Sequence, residues 1–583
     1  MIITTQTNRG ATKRRGCFLL ISCCALLAAH GGTFTTQSTL IPVPAAASGA
    51  TNGDTTATTT NEIQLDATVY IPDGVTSPAP VIIVLHGFGG SKMYSKTVLL
   101  AEDFASAGYV VLAPSLRGFG NSDGKVSLAG PNEINDLKTI ILAMQTGRIG
   151  ATPAVGIPVT SESKFGVTGI SYGGGLTWEL TRTHVAGLTA VMPIIGWTDL
   201  YQALSPNDVP KLSFTAGLFA SGYDVKNPNY APKMFDWLGD LLRGQPQKAR
   251  LGDSQSDIDW RSVIFNAEDV TVPTFVIQGW HDYLFPAEQA ISLFDQTNNS
   301  PFIKLYIGGL GHPPASSDIT STEALYMRAQ ALRWFDQWLK TNDTGILNEP
   351  RVTLAPELTE DWSTNALVTA DTFPLPGTTT NTLFIHLTTL AETSPEILKP
   401  KKLSPTSSGF RFFNSLLRII GVNSDHTINE VISVSAILNS HATDILDSGI
   451  STKLDNGAKR VHFDSDPLVA DLRVIGNPVY QLYVSSKRKN AYYFVQVAEH
   501  STNGTVTLVT RGAFKDTAVD PATPHLIQFS PFAINHVFTA GSQIRLFLAS
   551  RDYPFFLPNI NQPTVLIYRD PTHPSALLLP VAP

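Results

Sequence analysis

The pattern of apolar and polar positions predicts an α/β domain in the first two thirds of the chain. Between residues 81 and 349, short apolar runs alternate with stretches of helical length and periodicity. Runs that are apolar nearly throughout are typical of parallel strands covered on both faces. This alternation predicts an open parallel sheet with right-handed crossovers. The predicted strands are 81–85, 109–113, 165–170, 188–195, 274–278 and 303–307, and the clearest predicted helices are 97–107, 133–144 and 172–183.

The rest of the pattern divides the chain into further parts. Polar and apolar residues alternate at 63–71, which predicts an antiparallel strand. Helical segments rich in Pro, Asn and Gly interrupt the α/β pattern after residue 197, and we interpret them as a short cap over the strand ends. After about residue 350, short alternating strands predict a β-sandwich. The predicted parts are the α/β domain at 61–197 and 263–349, the helical cap at 198–262, and the sandwich at 350–583.

The first sixty residues differ from the rest. Lys13, Arg14 and Arg15 precede a short run of apolar and small residues. This run is shorter than the roughly 20 residues that a membrane-spanning helix needs, and a basic patch before such a run is typical of a secretory signal peptide. We therefore predict a signal peptide at 1–32 and an exported protein, secreted or periplasmic, with a buried N-terminal helix as the alternative. Residues 33–60 are rich in Thr, Ala, Ser and Gly and are predicted to be a flexible leader.

Cysteine positions and charge exclude several classes of function. All three cysteines, Cys17, Cys23 and Cys24, lie within the predicted signal peptide. Cleavage beyond Cys24 leaves no thiol, which excludes cysteine catalysis and cysteine-bound zinc in the mature protein. Residues 20–23 also resemble a lipoprotein box, so membrane contact is expected only if Cys23 is lipidated. The net charge is −7 and the basic residues are scattered, so we expect no nucleic-acid partner.

A serine between glycines lies where a predicted strand passes into a helix. The pentapeptide 169–173 reads Gly-Ile-Ser-Tyr-Gly and lies at the end of the apolar run 165–170. Flanking glycines permit a sharp strand-to-helix turn that lifts the hydroxyl of Ser171 above the sheet edge. A tight turn with a buried structural serine is the alternative. The strand-then-helix context favours Ser171 as a nucleophile.

A serine hydroxyl needs a base before it can attack a carbonyl, and His312 is the predicted base. Active groups on a parallel sheet lie at the carboxyl ends of strands. His312 directly follows the predicted strand 303–307 in the segment Gly-Gly-Leu-Gly-His. His86 also follows a strand, but it opens a glycine-rich loop and is better explained there.

The base in turn needs a carboxylate that fixes its tautomer, and Asp282 is the predicted acid. It follows the strand 274–278 by a few residues. Asp269 precedes that strand and would lie at the opposite end of the sheet. Ser171, Asp282 and His312 therefore occur in the chain order expected for this sheet topology.

Two further groups of residues are candidates for substrate contact. The loop 86–90 reads His-Gly-Phe-Gly-Gly and follows the first predicted parallel strand. Its glycines let the backbone approach a substrate closely, so the N–H groups of Phe88 and Tyr172 are the predicted oxyanion-hole donors. Trp197 and Trp280 follow strands and are candidates for the pocket wall, although core packing explains either tryptophan almost as well.

The loop 86–90, the elbow 169–173, Asp282 and His312 together resemble the α/β-hydrolase superfamily. A capped α/β domain followed by a sandwich resembles, within it, the family of Xaa-Pro dipeptidyl-peptidases, cocaine esterase and α-amino-acid ester hydrolases. The resemblance implies the triad Ser171, Asp282 and His312 and a jelly-roll, galactose-binding-like C-terminal domain. It covers about residues 61–583 and extends to the C-terminal segments 461–468, 476–480, 540–546 and 550–556.

This chain departs from that family in two ways. Several members use a tyrosine hydroxyl as an oxyanion donor, from a Pro-Tyr pair in the loop where this chain has Gly87-Phe88-Gly89. The cap is short, and no acidic cluster is evident that would hold the α-amino group of a substrate. We therefore expect a serine hydrolase that cleaves small carboxylic esters through an acyl-enzyme, without a metal or organic cofactor.

Two alternatives stay open from the sequence. One is an amidase or Xaa-Pro dipeptidyl-peptidase that uses the same triad on short peptides. The other is a non-enzymatic surface binding protein that uses its sandwich, since a fold does not by itself determine function. The sequence leaves the oligomeric state unassigned.

Overall fold

The computed structural model describes most of the chain outside its N-terminal region and residues 404–459. The predicted signal peptide lies outside the described residues except for Gly32, and so does Cys23. Within the described part, no helix is both long and apolar enough to cross a membrane. The described residues are 32–46, 62–149, 157–224, 226–250, 258–294, 296–297, 300, 302–312, 321–356, 362–386, 389–391, 401–403, 460–549, 551–553, 555–559 and 561–583.

The N-terminal two thirds of the described chain form an α/β domain with an inserted cap. The predicted parallel strands are confirmed to within one or two residues, because uninterrupted Val, Ile and Leu runs suit strands that are buried on both faces. The elements are β1 (Phe34–Pro44), β2 (Glu62–Pro72), β3 (Val81–Leu85), α1 (Ser95–Ser106), β4 (Val110–Pro114), α2 (Pro131–Gln145), β5 (Phe165–Ile170), α3 (Tyr172–Thr181), β6 (Leu188–Ile194), α4 (Leu200–Leu204), α5 (Leu212–Gly222), α6 (Pro232–Leu242), β7 (Thr274–Gly279), α7 (Glu288–Phe294), β8 (Ile303–Gly308), α8 (Ser321–Leu339), β9 (Val352–Leu354) and β10 (Val368–Ala370).

These strands form one sheet in the order β1-β2-β4-β3-β5-β6-β7-β8-β9-β10 in the described residues. Strands β3 to β9 run parallel, whereas β1, β2 and β10 pair antiparallel at the edges. Alternate residues of β3 enter different cores: Ile83 packs with α2 and α3, and Ile82 packs with α1 and α8. Because all parallel strands end at the same edge, the loops after β3, β5, β7 and β8 converge there.

The structure differs from the predicted division of the chain in two places. Residues 34–44, predicted as part of a flexible leader, form β1, which pairs with β2 along its whole length and buries Ile41 and Val43. Their threonines are β-branched and suit an edge strand, but only pairing with β2 satisfies the backbone. The α/β sheet also continues past residue 350, the predicted start of the sandwich, because β9 and β10 extend it beyond β8. Strands of three residues are too short for an alternation of apolar and polar residues to be recognised in the sequence.

The cap consists of α4, α5 and α6, which lie over the sheet edge that carries Ser171. Helix α6 begins with Pro232 at its first turn, where the missing N–H costs nothing. Its apolar side chains Met234, Trp237 and Leu238 face the interior and join the core that contains α3. The interruption of the α/β pattern after residue 197 therefore does form a short helical cap.

The C-terminal domain is built of strands that pair antiparallel, except for a short parallel pair between β12 and β14. This arrangement is consistent with the predicted β-sandwich; the jelly-roll topology stays a prediction. Phe555 packs edge-on against Phe214 of the cap, at 5.9 Å between ring centroids, so this domain contacts α5. The strands are β11 (Thr379–Ile385), β12 (Thr389–Ala391), β13 (Lys401–Leu403), β14 (Arg460–Ser465), β15 (Leu472–Gly476), β16 (Val479–Ser486), β17 (Ala491–His500), β18 (Val506–Asp516), β19 (His525–Phe529), β20 (Ile534–Phe538), β21 (Gln543–Ala549), β22 (Val565–Asp570), β23 (His573–Pro574) and β24 (Ala576–Val581).

Candidate active site

Ser171 lies in a strained turn between β5 and α3. Its φ is 60° and its ψ is −113°, a backbone conformation that non-glycine residues rarely adopt. The two flanking glycines are required sterically: a Cβ on Gly169 would lie 2.5 Å from the backbone of Gly173, and one on Gly173 would lie 2.5 Å from the carbonyl oxygen of Leu85. The turn places the Ser171 side chain at the edge of the sheet below the cap, at the start of a helix.

The three side chains predicted as nucleophile, base and acid meet at this edge. The Nε2 atom of His312 lies 2.7 Å from Oγ of Ser171, and its Nδ1 atom lies 2.8 Å from Oδ2 of Asp282. The carboxylate accepts the Nδ1–H, so Nε2 is left as the acceptor for the serine hydroxyl. His312 and Asp282 are 2% and 0% exposed, so this chain of hydrogen bonds is shielded from water. The geometry allows His312 to take the proton of Ser171.

The loop after Asp282 holds its carboxylate in place. Oδ1 of Asp282 accepts hydrogen bonds from the backbone N–H groups of Leu284, at 3.0 Å, and Phe285, at 2.9 Å. The Phe285 ring lies edge-on to the imidazole of His312, at 5.2 Å between ring centroids. Asp282 therefore has partners on both sides, and it keeps the imidazole in one tautomer and one orientation.

The loop 86–90 lies beside the nucleophile. A Cβ on Gly87 would lie 3.5 Å from Cβ of Ser171, so the loop backbone is within reach of a group bound to the serine. The Gly87 carbonyl accepts hydrogen bonds from Nδ1 of His86, at 2.7 Å, and from the N–H of Gly90, at 3.0 Å. In a trans peptide the N–H points away from the carbonyl, so the Phe88 N–H is directed out of the loop. Neither this N–H nor that of Tyr172 donates to another residue in the described part of the chain.

His86 is a structural part of this loop rather than a base. Its Nε2 accepts a hydrogen bond from the N–H of Leu116, at 2.9 Å, so its proton is on Nδ1 and faces the Gly87 carbonyl. Burial lowers the pKa of His86 from 6.5 to about 4, although the Gly87 carbonyl opposes this shift. The neutral imidazole thus fixes the peptide whose N–H is the predicted oxyanion donor.

A cavity that is partly open to solvent, with about 660 Å³ of empty space including that open part, adjoins Ser171 beneath the cap. Trp197 lies in its wall, as predicted, and donates its indole N–H to the carbonyl of Arg261 at 2.7 Å. Trp280 does not line this cavity. Its side chain packs in a separate core with residues of β7, α7, β8 and β9, and its N–H lies 3.2 Å from the Ala355 carbonyl.

Sequence reasoning missed most of the cavity wall. The wall includes side chains of α5 and α6, and their helical periodicity showed only that one face is apolar, not that this face covers the nucleophile. Ser171 and Thr215 provide hydroxyls, and the lining residues carry no charge. The cavity is lined by Phe88, Leu128, Ser171, Tyr172, Trp197, Leu200, Leu204, Thr215, Leu218, Phe219, Met234, Trp237, Leu238, Leu241, Ile258 and Phe285.

The strained nucleophile, the base and the acid, carried in this order at the edge of a parallel sheet, define a serine hydrolase of the α/β-hydrolase fold. The comparisons with known proteins agree with this class. Residues 61–313 match the family model of the X-Pro dipeptidyl-peptidases (S15 family), and residues 344–578 match the model of their C-terminal non-catalytic domain. The chain belongs to this S15-like family of hydrolases.

Relatives within this family carry different activities in their names. Cocaine esterase of Rhodococcus sp. (strain MB1 Bresler) is 20% identical over 89% of this chain and 96% of its own. The "Putative Xaa-Pro dipeptidyl-peptidase" of Bacillus anthracis is 27% identical over 44% of this chain, and the match spans only 42% of that relative's length. Family membership therefore does not distinguish ester substrates from peptide substrates. The residues around Ser171 have to be considered for that.

Solved structures share the fold over nearly the whole chain. An α-amino acid ester hydrolase has a TM-score of 0.65 at 15% identity, covering 98% of this chain and 100% of its own. A CocE/NonD family hydrolase from Staphylococcus aureus has a TM-score of 0.64 at 15% identity, covering 91% of this chain and 93% of its own. At this identity the likeness concerns the fold, including the C-terminal domain of antiparallel strands.

Proposed function

We propose that the protein is an exported carboxylic-ester hydrolase that acts on esters with an apolar acyl group. The observation that carries the proposal is the position of Ser171, which lies between His312 and a cavity whose lining residues are uncharged. Ser171, His312 and Asp282 act as nucleophile, base and acid partner in this proposal. The N–H groups of Phe88 and Tyr172 serve as oxyanion donors.

In the proposed reaction, His312 removes the proton of Ser171 as its Oγ attacks the ester carbonyl. The carbonyl oxygen becomes an oxyanion that accepts hydrogen bonds from the two backbone N–H groups. The imidazolium, stabilised by Asp282, then donates its proton to the alcohol oxygen as the C–O bond breaks, which leaves an acyl-serine. Water, deprotonated by His312, hydrolyses this acyl-enzyme and restores the free serine.

The cavity wall favours an ester of an apolar acid over a peptide with a free amino terminus. A buried ammonium needs a carboxylate or several acceptors, since an unpaired buried charge costs several kcal/mol. The described residues that line the cavity offer no such carboxylate. An alkoxide leaving group also needs less protonation than an amine, which makes the ester the less demanding substrate.

We expect hydrolysis of p-nitrophenyl esters to become faster as the acyl chain lengthens. Each buried methylene contributes about 0.8 kcal/mol, so the two extra methylenes of the butyrate should raise kcat/KM about 15-fold above that for the acetate. Ala-Pro p-nitroanilide should be turned over at least about 10²-fold less efficiently, because its ammonium meets an apolar wall. Steady-state kinetics on both substrate types make this comparison.

A charged residue placed in the cavity wall should weaken the preference for the butyrate ester over the anilide. Leu238→Asp is expected to slow butyrate hydrolysis and to narrow its advantage over the anilide, because the new carboxylate can pair with an ammonium. Leu142→Asp is the matched control, since Leu142 lies on α2 with 59% of its surface exposed. Wild-type turnover of the anilide above that of the esters would instead favour the Xaa-Pro dipeptidyl-peptidase activity.

Export is proposed from the basic and apolar start of the chain. The position of β1 limits where the predicted signal peptide can be cleaved without loss of a strand. Cleavage by residue 32 leaves β1 intact, whereas cleavage near 45–47 would remove a strand that buries Ile41 and Val43. We expect mass spectrometry of the protein from a bacterial expression host to find an unmodified N-terminus between Cys24 and Phe34. A lipid mass on Cys23 would favour membrane anchoring, and an intact Met1 would contradict export.

A further inference from the structure

A buried lysine of the cap lies behind the catalytic acid. Lys211 directly precedes α5 and is fully buried. Its Nζ donates hydrogen bonds to the carbonyl oxygens of Tyr283, at 2.8 Å, and Leu284, at 3.0 Å. It also lies 4.6 Å from the centroid of the Phe532 ring, which belongs to the C-terminal domain. Lys211, itself part of the cap, thus contacts both the loop after Asp282 and the C-terminal domain.

The two carbonyls held by Lys211 belong to the same peptide groups that hold Asp282. The peptide that joins Tyr283 to Leu284 accepts from Lys211 through its oxygen and donates to Oδ1 of Asp282 through its N–H, at 3.0 Å. The next peptide, between Leu284 and Phe285, does the same, with its N–H 2.9 Å from Oδ1. Carbonyl and N–H point in opposite directions across a trans peptide, so two peptide groups lie side by side between the ammonium and the carboxylate.

This arrangement aligns two peptide dipoles between a cation and an anion. A peptide group carries a dipole of about 3.5 D with its negative end at the oxygen. The ammonium therefore stabilises the orientation in which both N–H groups face Asp282, and it increases the partial positive charge that they present. Without Lys211, two buried carbonyls would lose their donor and the loop would lose the contact that fixes both peptide planes.

We propose that Lys211 is a positioning residue for the catalytic carboxylate, acting through the peptide groups 283–284 and 284–285. It holds the carboxylate of Asp282 in place while the imidazolium of His312 forms. The nucleophile is thereby linked to the packing of the cap against the C-terminal domain. The proposal rests on the serine-hydrolase chemistry and does not depend on the choice of ester over amide.

The charges around Lys211 fit this role. Burial lowers the pKa of Lys211, and the carboxylates of Glu288 on α7 and of Asp282 oppose that shift. Glu288 is itself held by the C-terminal domain, because one of its carboxylate oxygens accepts from the N–H of Ala533 at 3.1 Å. Both carboxylates therefore favour the charged form of Lys211, and one of them belongs to the catalytic acid.

Lys211→Met tests the proposal, because it keeps the length of the side chain and removes its charge and its donors. We expect kcat per titrated active site to fall by about 10²-fold, the scale of a misplaced catalytic group, with KM changed by less than about twofold. The rate of Ser171 labelling by a fluorophosphonate should fall by a similar factor. The low-field proton resonance of His312 Nδ1–H should shift or broaden in the NMR spectrum.

Lys304→Met is the matched control. Lys304 is 2% exposed and donates to the carbonyl of Pro350 at 2.8 Å, near the start of β8 and away from the triad. It should lower the melting temperature while kcat per titrated site and the low-field resonance stay as in the wild type. A merely structural role of Lys211 predicts this same result for Lys211→Met, and that result would overturn the proposal.

Lys211→Gln is the second variant that tests the role of the Lys211 charge, and it is needed if Lys211→Met does not fold. Its amide can still donate to a carbonyl but carries no charge, so kcat per site should remain about tenfold or more below the wild type. Recovery to within about twofold of the wild type would overturn the role of the charge. Labelling by the fluorophosphonate needs no knowledge of the substrate. If the wild type is labelled by the fluorophosphonate at a normal rate but hydrolyses no ester, the proposed ester hydrolysis is contradicted. The labelling rates of the Lys211 variants then still test the role of Lys211.

Discussion

Replacing Ser171 with Ala should lower kcat for p-nitrophenyl butyrate by about 10⁶-fold, with little change in KM. The reason is that Oγ of Ser171 is the atom that His312 approaches to 2.7 Å, and an alanine offers no atom that can form the acyl bond. Binding in the cavity and the backbone donors stay in place, so the residual rate should still exceed that of the uncatalysed reaction. Because Ala removes only the hydroxyl, the melting temperature should change little.

The measurement is steady-state kinetics on protein that no longer reacts with a fluorophosphonate. The double variant Ser171→Ala, His312→Ala should be no slower than Ser171→Ala, because the two side chains act as one unit. Ser213→Ala is the control, since this buried cap serine makes no hydrogen bond through its hydroxyl to any described residue. Retention of more than about 1% of kcat in Ser171→Ala would show that another group is the nucleophile.

His86→Leu is expected to lower kcat by about 10²–10³-fold, the usual effect of losing one oxyanion donor. The leucine leaves the Gly87 carbonyl without its imidazole donor, so the Phe88 N–H is no longer held in one direction. His86→Gln should lose less activity, because an amide offers one donor and one acceptor, as the neutral imidazole does. His462→Leu, at an exposed position of β14, is the control.

The same residue should govern part of the acid stability. The pKa of His86 is 6.5 before folding and about 4 in the buried site, so the unfolded chain binds a proton in a range where the folded protein does not. The free energy of unfolding should therefore fall by up to about 3 kcal/mol as the pH drops from 6.5 through 4. Urea unfolding at several pH values should show this loss in the wild type and a smaller loss in His86→Gln. An unchanged pH dependence in the variant would contradict the assignment.

The sequence predicted the parts of the site that depend on local order along the chain. Uninterrupted apolar runs located the parallel strands, and the residues that follow those runs included Ser171, Asp282 and His312. The two glycines of the elbow could be recognised because a bulkier residue cannot pass so close to a neighbouring strand. Each of these signals lies within a few residues, so no knowledge of distant contacts was needed.

The differences between prediction and structure have one cause, which is contact between segments that are distant in sequence. The run of Thr, Gln and Ser at 35–39 is polar enough for a linker, and only pairing with β2 makes the segment 34–44 a strand. The three-residue β9 is a strand only because β8 offers it an unpaired edge. Trp280 follows a strand just as Trp197 does, and only the packing of β9 beside it decides that it lies in the core.

The sequence by itself determined the class of fold, the order of the three triad residues and the presence of a cap, because strand period, glycine sterics and helix period are local properties. The tertiary structure alone decided what surrounds Ser171. His312 is 141 residues away from it in the chain. The apolar wall from α5 and α6 and the ammonium of Lys211 behind Asp282 carry no local signal. These contacts depend on how the cap and the C-terminal domain pack together, and packing energy is shared among residues that the order of the chain does not bring together.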